Sequence, residues 1–132
     1  MSLTPSSSLV TNLRVELQQW APFSQMAPAH LVRFIEAATE VYFAPDEGVL
    51  APADGVVRSL WLVRRGAVSG RPDRAGAGAS FQCEAGDLFP LGAALGGRAV
   101  TSVYTAVGDT FCLQLPLDVV QALSRESAPL AD

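Results

Sequence analysis

The sequence predicts a mainly β chain: a double-stranded β-helix (a jelly roll or β-roll) of about eight short strands, with N-terminal helices and a short C-terminal helix. Three observations predict it. Apolar residues recur at helical spacing only before residue 39 and again after Pro116. Between them, short apolar or alternating runs are broken at regular intervals by glycine, proline and aspartate. Eleven glycines and nine prolines in 132 residues suit a turn-rich β protein. That length is one domain with a real hydrophobic core, assigned here to residues 8–132, with a disordered or tag-like start over 1–7.

Taken in order, Leu9, Leu13, Leu17 and Trp20 line one helical face from Ser8 to Trp20, with the serine run ahead supplying an N-cap. Pro28 opens a second helix at its first position, and Leu31, Phe34, Ile35 and Ala38 form an i, i+3, i+4, i+7 stripe. Glu40–Phe43 and Val49–Ala51 read as strands separated by the Ala44–Gly48 turn. Ser59–Val63 is nearly all apolar, which predicts a strand covered on both faces. Gly66 allows a reversal into Ala67–Ser69, and 71–79 reads as a polar loop. Ser80–Cys83 is another strand, Gly86-Asp87 a tight turn, and Val107–Thr110 a hairpin turn. Phe111, Leu113 and Leu115 alternate with Cys112 and Gln114, the period of a half-buried strand. Leu117, Val120 and Leu123 share a face of the last helix.

Composition narrows the function classes. With 49% hydrophobic and 17% charged residues the chain is globular, and a net charge of −4 argues against nucleic-acid binding, which needs a basic face. All nine basic residues are arginine and they are scattered. Cys83 and Cys112 each lie in a strand-like run with no metal spacing, which predicts reduced, buried thiols in a cytoplasmic protein. No signal-peptide pattern opens the sequence, and no apolar run approaches the ~18 residues of a membrane helix.

An enzyme reading has little to stand on. His30 is the only histidine, so neither a metal-dependent cupin site nor a Ser/His/Asp or Cys/His arrangement can be assembled. Glu84 and Asp87 flank a turn, where a capping role fits better than acid–base work. We expect no catalytic residues, no metal and no required cofactor. The stretch with chemical promise is Gly86–Ala106, where small residues from Gly92 to Leu95 leave backbone N–H groups uncovered near Arg98. Two readings stay open there: an anion-binding turn, or a connection kept small so that it packs tightly.

The order of these elements resembles the cyclic-nucleotide-binding domain. The landmarks are Pro22–Met26, Tyr42–Glu47, the Leu60–Val68 hairpin, Gly86-Asp87-Leu88-Phe89 and Ala106–Thr110, spread over about Trp20 to Leu123. The resemblance implies a regulatory β-roll with a phosphate cassette after Phe89. In that family a Gly-Glu pair follows the phenylalanine, and the glutamate holds the ribose 2′-hydroxyl. Amides of a short helix, an arginine and an adjoining Ser/Thr hold the cyclic phosphate. In this sequence Pro90 and Leu91 stand at the Gly-Glu positions and Val100 at the arginine position, with Thr101 matching the hydroxyl residue. Arg98 lies two residues early and serves only if the loop is re-routed. Losing the standard contacts is worth on the order of 10²–10⁴ in affinity.

The ligand-binding set implied is Phe89, Leu91, Gly92, Ala93, Ala94, Leu95, Arg98, Thr101 and Ser102. The ligand implied is a cyclic nucleotide or another nucleotide. The wording of the cassette further resembles the N-terminal domain of bacterial signal-transduction nucleotidyltransferases, which place such a domain before a CBS pair and a nucleotidyltransferase domain. The function implied is a ligand-sensing domain controlling downstream domains of the same chain. The alternative is a degenerate module for docking or homodimerisation that binds no nucleotide.

Overall fold

The structure, a computed structural model, describes residues 7–20, 23–72 and 80–126. In chain order, α1 (Ser7–Leu17) and α2 (Pro28–Glu36) precede β1 (Thr39–Phe43), β2 (Gly48–Leu50), β3 (Ser59–Arg65), β4 (Ala67–Pro72), β5 (Phe81–Glu84) and β6 (Leu88–Phe89). Then come α3 (Leu91–Gly96), β7 (Ser102–Ala106), β8 (Thr110–Pro116) and α4 (Leu117–Glu126). The chain divides into two compact units: Glu40–Gln114, which holds the strands, and a helical unit made of Met1–Thr39 with Leu115–Asp132.

The strand unit is the β-roll that the turn pattern predicts. Its two four-stranded antiparallel sheets run in the orders β1-β8-β3-β6 and β2-β7-β4-β5. β3 is apolar on both faces because both are covered: Leu60, Trp61, Leu62 and Val63 are all buried. Gly66 turns β3 into β4 with φ +87°, a conformation that side-chain-bearing residues rarely adopt. The hydroxyl of Thr110, fully buried, is 3.0 Å from the Ala67 carbonyl and 2.9 Å from that of Gly108, and donating to them ties this turn to the β7–β8 turn. At the β5–β6 turn, Glu84 N–H donates to the Asp87 carboxylate at 2.7 Å and Asp87 N–H returns to the Glu84 carbonyl at 2.9 Å. That is the capping role expected of this acidic pair.

In the helical unit α1 packs on α2 and α2 on α4. The α2 stripe of Leu31, Phe34, Ile35 and Ala38 is buried as its spacing predicts, and Phe34 meets Phe23 with ring centroids 5.0 Å apart. Leu13 and Leu17 of α1 and Val120 and Leu123 of α4 are buried too.

Several expectations are corrected. The first helix ends at Leu17, not Trp20, because Gln19 and Trp20 close onto Glu16 and Leu17 in a tighter three-residue turn. The polar loop begins later than expected, since Arg71 and Pro72 pair with Val103 and Ser102 as the end of β4. Phe111 faces outward, where its ring lies 5.1 Å from that of Tyr42, while the adjacent Cys112 and Leu113 are both buried. Tyr42 is itself fixed by donating its hydroxyl to Asp109. Both cysteines are free thiols and buried, as expected. The start at 1–6, Ala21-Pro22, loop residues 73–79 and the tail 127–132 lie outside the described residues, as does the side chain of Leu9.

Candidate functional site

The end of α3 sets the direction in which the chain enters Arg98. Small residues let six positions from Leu91 to Gly96 wind as the short helix that the resemblance implies. Gly97 then takes the left-handed conformation (φ +65°, ψ +35°). Gly97 N–H bonds to the Ala94 carbonyl at 3.3 Å, and Arg98 N–H bonds to the Ala93 carbonyl at 3.0 Å. This is a Schellman stop, with Arg98 at the position just past the left-handed residue. The Arg98 carbonyl in turn accepts from Val57 N–H at 3.2 Å, so both backbone groups of the arginine are pinned.

The side chain then lies back along α3. A Cβ built on Gly96 would be 3.3 Å from Arg98 Nη1, and one on Gly92 would be 3.7 Å from Nη2. Gly92 and Gly96 are one helical turn apart on the same face. Their missing side chains make the track on which the guanidinium rests. Arg98 forms no ion pair with any described residue.

A cavity of about 210 Å³ opens beside this arginine, lined by Phe81, Pro90, Leu91, Gly92, Ala93, Arg98, Ala99, Val100, Thr101, Ser102 and Tyr104. Of the residues expected at a ligand site, Leu91, Gly92, Ala93, Arg98, Thr101 and Ser102 are brought together there. Phe89, Ala94 and Leu95 do not line it: Phe89 and Ala94 point into the core, and Leu95 is 69% exposed. Helix geometry explains the split, because winding into α3 sends successive side chains to different faces. The amides of Leu91, Gly92 and Ala93, the first turn of α3, have no partner among the described residues, whereas Ala94 N–H bonds to the Pro90 carbonyl at 3.2 Å. Pro90 joins Phe89 through a cis peptide bond.

The far wall is aromatic and was missed by sequence reasoning. Phe81, Gly70 and Tyr104 face one another across β5, β4 and β7 in a single cross-strand row. A Cβ on Gly70 would come within 2.2 Å of the Phe81 ring, so the glycine is the seat of that ring. Phe81 meets Tyr104 edge-on at 5.5 Å, Tyr104 stacks on Phe89 at 5.3 Å, and Phe89 stacks on Trp61 at 5.8 Å. This column crosses the interior of the roll and ends at the cavity. Burial, with a smaller contribution from Cys83, pushes the Tyr104 phenol above its ordinary value, so it is a neutral donor at physiological pH.

The electrostatics are one-sided. The lining holds one cation, hydroxyls and free amides, and no carboxylate. Such a set is complementary to an oxyanion. Among the described residues no cluster of three or more His, Cys, Asp or Glu could hold a metal. His30 is half-buried on α2, in the helical unit. No helix among the described residues is long and apolar enough to cross a membrane.

No protein-family model and no curated protein matches the sequence. Solved structures do resemble it. The regulatory domain of Toxoplasma gondii PKA with cAMP superposes with a TM-score of 0.77 at 13% identity, covering 87% of this chain and 45% of that one. The sensor domain of the transcriptional regulator DNR from Pseudomonas aeruginosa gives 0.74 at 13%, covering 89% and 84%. The regulatory subunit of a cAMP-independent protein kinase A from Trypanosoma cruzi, bound to guanosine, gives 0.73 at 13%, covering 92% and 44%. The chain spans less than half the length of the kinase regulatory subunits it matches. At these identities the likeness establishes the fold: a β-roll of the cyclic-nucleotide-binding type.

Proposed function

We propose that this chain is a ligand-sensing regulatory domain. Its cavity beside α3 takes a phosphate-bearing, nucleotide-like anion through Arg98, Thr101, Ser102 and the amides of Leu91, Gly92 and Ala93. The observation that carries the reading is the re-routed arginine: the Schellman stop at Gly97 and the glycine track bring Arg98 to the same cavity as Thr101. A cation displaced by two residues in sequence thereby stands in for the one that Val100 lacks. Further support comes from the fold shared with structures that hold cAMP or guanosine. A charge-assisted contact from an arginine is worth roughly 1.5–3 kcal/mol, enough for this one residue to govern binding. We further propose that the domain is cytoplasmic and that occupancy is relayed to downstream domains of the same chain, a CBS and nucleotidyltransferase region.

A thermal-shift screen of cyclic and linear nucleotides tests the site. A ligand that raises Tm for the wild type and not for Arg98→Ala supports it. A shift of equal size in both proteins would remove Arg98 from the reading, and no shift with any nucleotide would remove the ligand.

One observation favours a second reading. Leu91 is 46% exposed and Leu95 69% exposed on α3, an apolar surface of the kind used to dock a protein or a second copy. On that reading the chain is dimeric in solution, and Leu95→Asp returns it to a monomer by light scattering.

A further inference from the structure

We propose that the outer face of the β2-β7-β4-β5 sheet holds a second site, which takes a free α-amino acid by its ammonium and carboxylate groups. The Arg98 cavity draws on the inner face of this sheet, and the two cavities share no residue. Alternation along β4 defines the outer face. Gly70 faces Phe81 and Tyr104 inside, so Ser69 and Arg71 on either side of it point out. Ser69 stands directly between Gln82 of β5 and Thr105 of β7. Its short side chain between two longer ones leaves a trough. A cavity of about 360 Å³ lies there, and Asp46 and Arg71 line it together with these three polar residues.

Two observations point to a zwitterion. Asp46 and Arg71 carry the only charges in the lining. Neither side chain is ion-paired or hydrogen-bonded, with the other or with any described residue. An ammonium at the carboxylate and a carboxylate at the guanidinium would satisfy both, with the hydroxyls of Ser69 and Thr105 on the same lining. The second observation is backbone strain. Among the described residues Asp46 is the one non-glycine position with positive φ, +67°. Its N–H donates to the Ala106 carbonyl at 2.8 Å, Ala106 N–H donates to the Glu47 carbonyl at 2.9 Å, and Ala44 N–H donates to the Glu47 carboxylate at 2.9 Å. Glycine would take this conformation freely, so the turn has no need of an aspartate. The strained residue instead supplies the cavity's one carboxylate.

A thermal-shift screen of the common α-amino acids, each at about 10 mM, tests this, followed by calorimetry on the one with the largest effect. At least one is expected to raise Tm. Asp46→Gly and Arg71→Gln should each weaken it by roughly fivefold, the size of a solvent-exposed charge contact. Asp46→Gly should keep its Tm without ligand, so that lost binding is not lost folding. The N-acetyl derivative, which lacks the ammonium, should bind the wild type weakly and lose nothing further in Asp46→Gly. The primary amide, which lacks the carboxylate, should behave in the same way toward Arg71→Gln. If no amino acid shifts the wild type, or the wild type and both variants bind equally, the face is an ordinary solvated sheet and the proposal is overturned. If Asp46→Gly weakens the N-acetyl derivative as much as the free amino acid, Asp46 does not hold the ammonium and the proposal is likewise overturned. Either failure leaves the Arg98 reading standing, because that cavity has its own residues.

Discussion

Replacing Gly66 with alanine at the β3–β4 turn tests the packing that holds the cavity-bearing sheet in register. Two effects act there. The first is conformational: at φ +87° an added Cβ costs roughly 1–2 kcal/mol. The second is steric, and it comes from backbone. The new Cβ would lie 2.5 Å from the Asp109 carbonyl oxygen, 2.8 Å from Thr110 Oγ1 and 3.0 Å from Thr110 Cα. None of these is the end of a flexible chain, and the Thr110 hydroxyl is already held by two carbonyls. Forcing a methyl into a closed site of this kind costs roughly 1–3 kcal/mol more. The sum is roughly 2–5 kcal/mol, which at ~4 °C per kcal/mol for a domain of this size lowers Tm by roughly 8–20 °C. Gly97→Ala is the matched control. Its φ is also positive, +65°, but no atom lies within 4 Å of the added Cβ, so only the conformational cost remains. Urea unfolding of both variants separates the two effects. If Gly66→Ala costs no more than Gly97→Ala, the β7–β8 turn yields freely and the reasoning from close contact is wrong.

Gly96→Ala should separate stability from binding: alanine favours the helix by about 0.4–1 kcal/mol, yet the methyl must move the Arg98 side chain, 3.3 Å away, by a few tenths of an ångström. We expect an unchanged or higher Tm with altered affinity for an anionic ligand. Thr110→Val keeps the shape and removes the hydroxyl that joins two turns, at a cost of about 1 kcal/mol in urea unfolding, and Thr110→Ser should retain most of that. Burial, helped by Asp87, pushes the Cys83 thiol up to about 11, and burial, helped by Cys83, pushes Cys112 up to about 12. At pH 8 the native thiolate fractions are then ~10⁻³ and ~10⁻⁴, so iodoacetamide should label neither until urea is added. Because the folded state holds these protons more tightly than the unfolded chain, stability is full below about pH 9 and falls as pH rises through 11 and 12. The phenols shift in the same direction, Tyr42 because its hydrogen bond to Asp109 favours the protonated form and Tyr104 because of burial. Ultraviolet titration should therefore show both ionising above pH 10, and a tyrosine titrating below 10 would contradict the packing.

What the sequence determined by itself were the features that rest on neighbours along the chain. The α2 stripe, the Gly66 and Gly86 turns and the Glu84–Asp87 cap each follow from local periodicity or backbone conformation, and each stands in the structure, whereas the alternation read along β8 is broken by two adjacent buried residues, Cys112 and Leu113. The membership of Leu91, Gly92, Ala93, Arg98, Thr101 and Ser102 in one cavity was also legible, because they fall within one short stretch. What only the tertiary structure decided was direction. Arg98 reaches the cavity because a left-handed glycine ends α3 just before it and because Gly92 and Gly96 leave the helix face bare. Phe81 and Tyr104 lie 23 positions apart and meet only because both pair with Gly70, and no local pattern encodes that register. The aromatic column from Trp61 to Phe81 is likewise a product of two sheets facing each other. Spacing along a chain is short-range information, while the end of the cavity opposite Arg98 is built from contacts between strands.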